Sequence, residues 1–251
     1  MSPIHVEQAI FSSSDRGSMK GYQLVSRSAG IDRDTGNELC RWAPTRLIDE
    51  RPESWTINAF PVSGDRFAVT RTVVGGPEYS SRGASQIVTS ILLFDDQQFS
   101  RYLHNPILVA RTAMAVGALR LPLDTDEEKL DLVELPGEPL FKVPDLFELR
   151  ATDGPIAESL DEAAELIGDS RRVALVGQLH PVEAAASLIP RLGSDHRAQF
   201  SFTTGLAPAI SRPFQLHLLS DADAPMRHTL ASQSIQVVEA IADSVTASGR
   251  L

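Results

Sequence analysis

The chain has 251 residues, 42 % of them hydrophobic, and carries a formal net charge of −10. This length fits one large domain or two small ones, and the apolar fraction is too high for a disordered chain. The acidic balance argues against nucleic acid and anionic lipid as partners, and the one cysteine, Cys40, excludes an internal disulfide and a zinc site of several thiolates.

The first elements are predicted to be two strands and a short helix. The stretches His5–Phe11 and Gly21–Ser26 alternate in part between apolar and polar residues, as half-buried strands do. The Ser- and Gly-rich stretch between them is too long for a tight hairpin. Residues 34–42 follow and predict a short helix.

The next segment carries the strongest hairpin signal in the chain. Thr56–Val62 and Arg66–Val74 are rich in Val, Ile, Thr and Phe. They flank Ser63-Gly64-Asp65, which suits a short reversal. Gln86–Phe94 is strongly apolar and predicts a central strand.

Two helices are predicted after this strand. Asp95 or Asp96 can cap the first one, because a short acidic side chain satisfies free N–H groups at a helix start. Asn105 is a good cap for the second, and Pro106 fits its first position. This second helix is expected to be buried and to end at Gly117.

Residues 122–153 are predicted to be an extended connector, because prolines and acidic side chains interrupt any periodic pattern. This division predicts a strand-rich N-terminal lobe over residues 1–121 and an α/β C-terminal lobe over residues 154–251. The predicted fold class is α+β, with mixed, largely antiparallel sheets, flanking helices and two lobes.

The second half of the chain alternates helices and strands. Ser159 and Glu162 match a capping box at the start of a helix that ends at Gly168. Pro181 opens another helix, which ends at Gly193. The other predicted elements are three strands and a final helix: Arg172–Gly177, Ala198–Thr204, Phe214–Ser220, and a helix that carries Ile235, Val238, Ile241, Ala242 and Val245.

No targeting or membrane segment is predicted. The N-terminus lacks the basic start and the long apolar stretch of a secretory signal. The longest apolar stretch, Pro106–Leu119, is interrupted by Arg111 and Thr112 and is shorter than the roughly 20 residues of a membrane span. We therefore expect a cytoplasmic protein, a compartment that the single cysteine also favours.

Three histidines are candidates for chemistry. His5 and Glu7 share one face of a predicted strand, so two metal ligands are possible there, and His180 precedes Glu183 at a helix start. Neither pair has further ligands at the spacing of a metal site, so solvent or capping roles are favoured. His217 lies opposite the apolar residues of its predicted strand, and we expect it to be polar or partly exposed.

No motif for nucleophilic or phosphate chemistry is complete. Val173–Gln178 resembles a phosphate-cradling turn, but it lacks the lysine, the hydroxyl and two glycines of such a loop. Cys40 is favoured as a buried residue, and Phe200, Phe202 and Phe214 as one core cluster. We therefore predict no catalytic residue, no cofactor and no metal, although carboxylates on different strands could still meet in space.

Several short segments occur in an order known from one protein family. They are, in chain order, His5–Phe11, Gly21–Ser28, Arg82-Gly83 with Ile91–Leu93, and Arg197–Leu206 with Arg212–Phe214. Together they resemble the N-terminal region of the bacterial GTPase-associated protein 1 family. In one departure, the family often has a His before the Leu-Leu pair, where this chain has Thr89 and Ser90.

The resemblance implies a non-catalytic adaptor that binds a small Ras-like GTPase, or another operon-encoded protein, in a bacterial signalling or conflict system. Such an adaptor needs an exposed sheet edge or an apolar surface patch. One alternative is a GTPase-activating regulator, for which Arg82 would contact the partner as an arginine finger. The other is an unrecognised hydrolase whose site is assembled from distant residues.

Overall fold

The protein forms one open, mixed sheet with helices on both faces. The computed structural model describes residues 2–15, 20–77, 85–119, 129–142 and 155–240. Within these ranges lie eleven strands in one sheet and seven α-helices, which confirms the predicted α+β class. No helix in these ranges is both long and apolar enough to span a membrane.

The sheet runs in the order β11-β8-β10-β9-β3-β4-β5-β1-β2-β6, and β7 pairs with β1 outside this path. The strands are β1 (Ile4–Ser14), β2 (Gly21–Ser28), β3 (Trp55–Val62), β4 (Arg66–Pro77), β5 (Ser85–Asp95), β6 (Lys129–Leu130), β7 (Val133–Leu135), β8 (Arg172–Val176), β9 (Phe202–Thr203), β10 (Leu216–Leu219) and β11 (Ile235–Glu239). The helices are α1 (Arg33–Trp42), α2 (Asp96–Ser100), α3 (Pro106–Ala115), α4 (Pro155–Gly168), α5 (Pro181–Leu188), α6 (Ser194–Arg197) and α7 (Ala224–Ser232), with a 3-10 turn at Ile189–Arg191.

The sheet changes character along its width. From β3 to β2 the neighbouring strands are antiparallel, and from β9 to β11 they are parallel. Strand β9 joins the two parts, because it pairs antiparallel with β3 and parallel with β10. The parallel part has α5 on one face and α7 on the other, which is the arrangement of doubly wound α/β proteins.

Local sequence chemistry sets several element ends as predicted. The β3–β4 hairpin pairs Val62 with Arg66, and its turn uses positive φ angles of 79° at Gly64 and 54° at Asp65. Asp95 caps α2 with a complete capping box. Asn105 caps α3, because its side-chain oxygen accepts two backbone N–H groups at 3.0 and 3.3 Å.

Two predicted helix assignments in the second half are wrong. Helix α4 begins at Pro155, and the Ser159 hydroxyl within it donates to the Glu239 carbonyl at 2.9 Å instead of capping a helix start. Ile235 and Val238 lie in strand β11, and the helix before it, α7, has no counterpart in the sequence prediction. β11 is apolar on both faces because α4 covers one and α7 the other, so it lacks the alternation of a half-buried strand. The rest of that predicted helix, Ile241, Ala242 and Val245, lies outside the described residues.

Part of the predicted connector belongs to the sheet. Residues 129–142 contribute β6, which pairs with β2, and β7, which pairs with β1. The rest of the connector lies outside the described residues. The pairing of β3 with β9 carries one sheet across both halves of the chain. The division into two lobes stays a prediction.

The sheet separates two sets of core residues. On one face, a large core takes residues from both halves of the chain, among them Ile57, Val69, Val173 and Leu216. On the other face, α1 and the loop between β9 and β10 cover the antiparallel part with Leu39, Leu206 and Phe214. The same face of the parallel part packs against α7 through Leu230 and Ile235.

Candidate functional site

A row of buried polar side chains crosses the centre of the sheet. The pairing register places His217 of β10 beside Thr203 of β9, Thr203 beside Asn58 of β3, and Asn58 beside Thr70 of β4. Paired residues on neighbouring strands point to the same face, so these four side chains form one line, here called the polar row. Each of the four is no more than 2 % exposed.

Asn58 is the centre of hydrogen bonding in the polar row. Its Oδ1 accepts from the Thr203 hydroxyl at 2.7 Å and from the Thr56 hydroxyl at 3.0 Å. Its Nδ2 donates to Thr70 Oγ1 at 3.2 Å and to Thr72 Oγ1 at 3.5 Å. These four contacts use the full hydrogen-bonding capacity of the amide, which is what a buried polar group requires.

His217 differs from the other members of the polar row. Neither of its ring nitrogens has a hydrogen-bond partner among the described residues, and its ring contacts Phe214 at 5.9 Å between centroids. Burial lowers the pKa of His217 to about 4, and the charges of Arg172 and Arg212 add to that effect. The Leu206 backbone acts in the opposite direction but does not meet a ring nitrogen at hydrogen-bond geometry. The expectation of a partly exposed His217 is wrong, because the loop that carries Leu206 and Phe214 covers this face.

An open cleft of about 360 Å³ lies at the carboxyl ends of β9 and β10. Its walls are the start of α5, with His180 and Val182, the residues Ser220 and Asp221 after β10, and the segment 47–56 that leads into β3. In open α/β sheets, ligands bind at this end of the strands, where successive helices leave toward opposite faces. Both the position and the size of the cleft suit a small ligand or a side chain of a partner.

Most charged groups at the cleft are already paired. Arg51 Nη2 lies 2.6 Å from Asp49 Oδ2, and Arg51 Nη1 lies 3.6 Å from Glu53 Oε1. Hydrogen bonds from Arg51 and Ser54 hold the pKa of Asp49 well below its ordinary range. No group of three or more potential metal ligands forms among the residues that the structure describes.

The histidine and carboxylate pairs that the sequence singled out are dispersed. His5 Nε2 lies 3.6 Å from Glu134 Oε2, and both side chains are exposed. Glu7 accepts from the Ser28 hydroxyl and, at 3.2 Å, from the Gly30 N–H, so it anchors the end of β2. His180 precedes α5 without a capping hydrogen bond from its side chain. The structure does not bring any of these residues together with His217.

Glu183, Cys40 and Arg82 complete the set of sequence candidates. The Glu183 carboxylate binds Arg111 Nη2 with both oxygens at 2.7 Å. Cys40 is half-buried, and desolvation raises the pKa of its thiol, which disfavours the nucleophilic thiolate. Arg82 lies outside the described residues.

The predicted aromatic cluster is divided between the two faces of the sheet. Phe200 and Phe202 stack with centroids 5.8 Å apart in the large core. Phe214 lies on the opposite face, against Trp42 and Phe60. The prediction of one cluster is wrong because Phe214 precedes β10 and belongs to the covering loop, so strand alternation does not apply to it.

An apolar surface lies where α3 ends. Met114 and Ala115 of α3 line a shallow depression with Phe141, and Arg111 and Glu183 form its polar side. Val116 and Leu140 continue the apolar surface, and Val116, Leu140 and Phe141 are 46 %, 55 % and 42 % exposed. The Leu140 N–H donates to Thr112 Oγ1 at 3.2 Å, which fixes this segment against α3. We call Met114, Ala115, Val116, Leu140 and Phe141 the apolar patch.

Sequence reasoning missed the polar row, the cleft and the apolar patch. A signal for the polar row was present, since Thr56 and Asn58 share one face of β3, and asparagine is depleted in strand interiors. The partner of Asn58 on β9 lies 145 residues away, so the row itself could not be read from local pattern. The apolar patch joins a helix end to a segment that the sequence assigned to a connector.

Comparison with known proteins identifies a family. Residues 5–134, which are just over half of the chain, match the family model described as GTPase-associated protein 1, N-terminal domain type 2. The matched range begins in β1 and ends in β7, the two strands that pair through His5 and Glu134. No curated protein and no solved structure is significantly similar to the chain.

Proposed function

Because the chain belongs to the GTPase-associated protein 1 family, we propose that it is a non-catalytic adaptor for a small Ras-like GTPase or another operon-encoded protein. The proposal places it in the cytoplasm, as a component of a bacterial signalling or conflict system. The family name supports association with a GTPase, and the apolar patch is the surface feature that carries the proposal.

The apolar patch has the composition of a protein-binding surface. An exposed aromatic side chain, Phe141, lies beside the aliphatic Leu140 and Val116, and Met114 adds an adaptable apolar side chain. The Arg111–Glu183 ion pair lies at its side and supplies a charged rim. Aromatic anchors with a polar rim are typical of interfaces, and exposed apolar side chains that lie together mark such sites.

A binding measurement with matched variants tests this proposal. The full chain would be titrated with a small Ras-like GTPase encoded in the same operon, loaded with GDP or with a non-hydrolysable GTP analogue. Phe141→Asp should weaken binding at least about tenfold, because a central aromatic anchor is worth more than about 1.4 kcal/mol. Leu132→Asp is the control, since Leu132 is 47 % exposed and does not line the depression. If Phe141→Asp leaves binding unchanged, the apolar patch is not the binding surface. If the chain does not bind the GTPase in either nucleotide state, the proposed partner is wrong.

The same mixtures distinguish an adaptor from a GTPase activator. An adaptor leaves the rate of GTP hydrolysis unchanged, whereas an activator that inserts an arginine raises it by orders of magnitude. If hydrolysis is accelerated and Arg82→Ala abolishes the acceleration, the activator replaces the adaptor as the function.

A further inference from the structure

The charges of two arginines act on an unpartnered imidazole on the face of the sheet that the loop between β9 and β10 covers. The Arg212 guanidinium makes no hydrogen bond or ion pair with a described residue, and its Nε is buried. His217 is 1 % exposed, and both of its ring nitrogens are without partners in the described part of the chain. Leaving a buried donor or acceptor without a partner costs about 1–3 kcal/mol, so these three unpartnered nitrogens call for an explanation.

The fold brings these side chains together from three segments. Arg172 and Ala174 point to the same face of β8, and Ala174 pairs with His217 on β10, so Arg172 is a diagonal neighbour of His217. Arg212 ends a tight turn in which its N–H donates to the Ala209 carbonyl at 3.0 Å. Two residues later, the Phe214 ring lies perpendicular to the His217 ring, with the centroids 5.9 Å apart.

The local charge is positive in a protein that is acidic as a whole. The charges that act on His217 are those of Arg172 and Arg212, and no ion pair joins either arginine to a carboxylate of the described residues. Arg172 Nη2 donates to the Gln233 carbonyl at the end of α7, which orients its guanidinium without neutralising it. With a formal net charge of −10, the chain has carboxylates in excess, so two unpaired arginines beside one imidazole are a specific local feature.

We propose that Arg212, Arg172 and His217 form a binding site for a small oxyanion, a carboxylate or a phosphate. An oxyanion would accept from the Arg212 guanidinium with two parallel hydrogen bonds and from the one N–H of the neutral imidazole. It would also neutralise charge that the described residues leave unpaired. This site lies on a different part of the molecule from the apolar patch, so it does not depend on the proposed partner.

Thermal unfolding of the full chain tests the site, with sodium phosphate, sodium acetate and sodium chloride compared at equal ionic strength. Phosphate or acetate should raise the Tm saturably relative to chloride, by about 3 °C at a tenfold excess over Kd. Phosphate also stabilises proteins non-specifically, so the measured quantity is the difference between the wild type and Arg212→Gln. The variant should lose the saturable part, whereas Arg46→Gln, whose side chain is 84 % exposed, should keep it.

Nuclear magnetic resonance supplies a second measurement that does not depend on the stability of the variant. Titrating the wild-type chain with phosphate or acetate should shift the ring signals of His217 and leave those of the exposed His196 unchanged. An equal Tm response in Arg212→Gln, or His217 signals that do not move at saturating anion, would overturn the proposal. GTPase binding by Arg212→Gln in chloride buffer without added phosphate or acetate should equal that of the wild type, so failure of this site is distinguishable from failure of the adaptor function.

Discussion

The imidazole of His217 is held neutral by its surroundings. It takes part in a row whose other members satisfy one another through hydroxyl and amide groups, and none of the described carboxylates acts on it to stabilise a positive charge. Desolvation therefore dominates, and the nearby Arg172 and Arg212 act in the same direction. A neutral histidine can donate one hydrogen bond and accept another, but it becomes costly to keep buried once the solution is acid.

The stability of the protein should consequently fall as the pH drops from about 6.5 toward 4. Unfolded His217 takes up a proton near its ordinary pKa of 6.5, whereas the folded state takes it up only near 4. The unfolded state therefore binds more protons over this interval, which lowers the free energy of unfolding by about 2 kcal/mol at pH 5. Between pH 7 and pH 5, His217→Leu should lose about 2 kcal/mol less stability than the wild type, measured by urea denaturation in chloride buffer without phosphate or carboxylate. His180→Leu is the control and should follow the wild type, and a His217→Leu profile parallel to the wild type would contradict this account.

At the scale of elements, the backbone that follows β8 lies very close to the backbone that follows the edge strand β11. Gly177 follows β8, and a Cβ built on it would lie 2.3 Å from the carbonyl oxygen of Ala240, which follows β11. The Ala240 N–H donates to the Val176 carbonyl at 2.8 Å, so this contact holds the ends of β8 and β11 together. Position 177 therefore requires glycine, because the Ala240 carbonyl leaves no room for a side chain.

Substitution of two glycines should therefore have opposite effects. Gly177→Ala should lower the free energy of unfolding by about 1–3 kcal/mol, because the backbone of β11 has to move. At Gly168, at the end of α4, an added Cβ would have no neighbouring atom within 4 Å. Gly168→Ala should therefore raise the free energy of unfolding by about 0.5–1 kcal/mol. Urea denaturation of both variants measures the two effects. A neutral Gly177→Ala would mean that β11 is not fixed at this point.

Elements whose ends depend on local chemistry were predictable from the sequence. The Asn105-Pro106 start of α3 and the β3–β4 turn were both read correctly, since each depends on side chains within a few residues. Strand β11 was not predicted correctly, because α7 and α4 bury Ile235 and Val238 on its opposite faces. A short apolar run of this kind fits a helix equally well. The expected exposure of His217 was wrong for a related reason. Whether His217 is exposed depends on strand order and on a covering loop, and neither leaves a periodic signal.

At the scale of the whole molecule, one core extends beneath both halves of the chain. Ile57 and Val69 from the antiparallel part lie in the same apolar cluster as Val173 and Leu216 from the parallel part. Because neither half keeps its share of this core when the other unfolds, the two halves should unfold together.

Two probes in urea can measure that coupling. Trp42 and Trp55 report on the antiparallel part by fluorescence, and amide hydrogen exchange of Val173 to Val176 reports on the parallel part. The two transitions should share one midpoint. Loss of protection in β8 at a lower urea concentration than the fluorescence change would show that the halves are independent units.

Strand β9 gives the molecule a direction of mechanical weakness that chemical denaturation would not reveal. It has two residues, Phe202 and Thr203, and each pairs once with β3 and once with β10. A force that pulls the antiparallel and parallel parts away from each other within the plane of the sheet would load these few rungs, together with the core that the two parts share. Within the antiparallel part, the β3–β4 and β4–β5 ladders would oppose such a pull with many more paired residues. A partner that grips both halves would thus have most leverage on the fold at this seam.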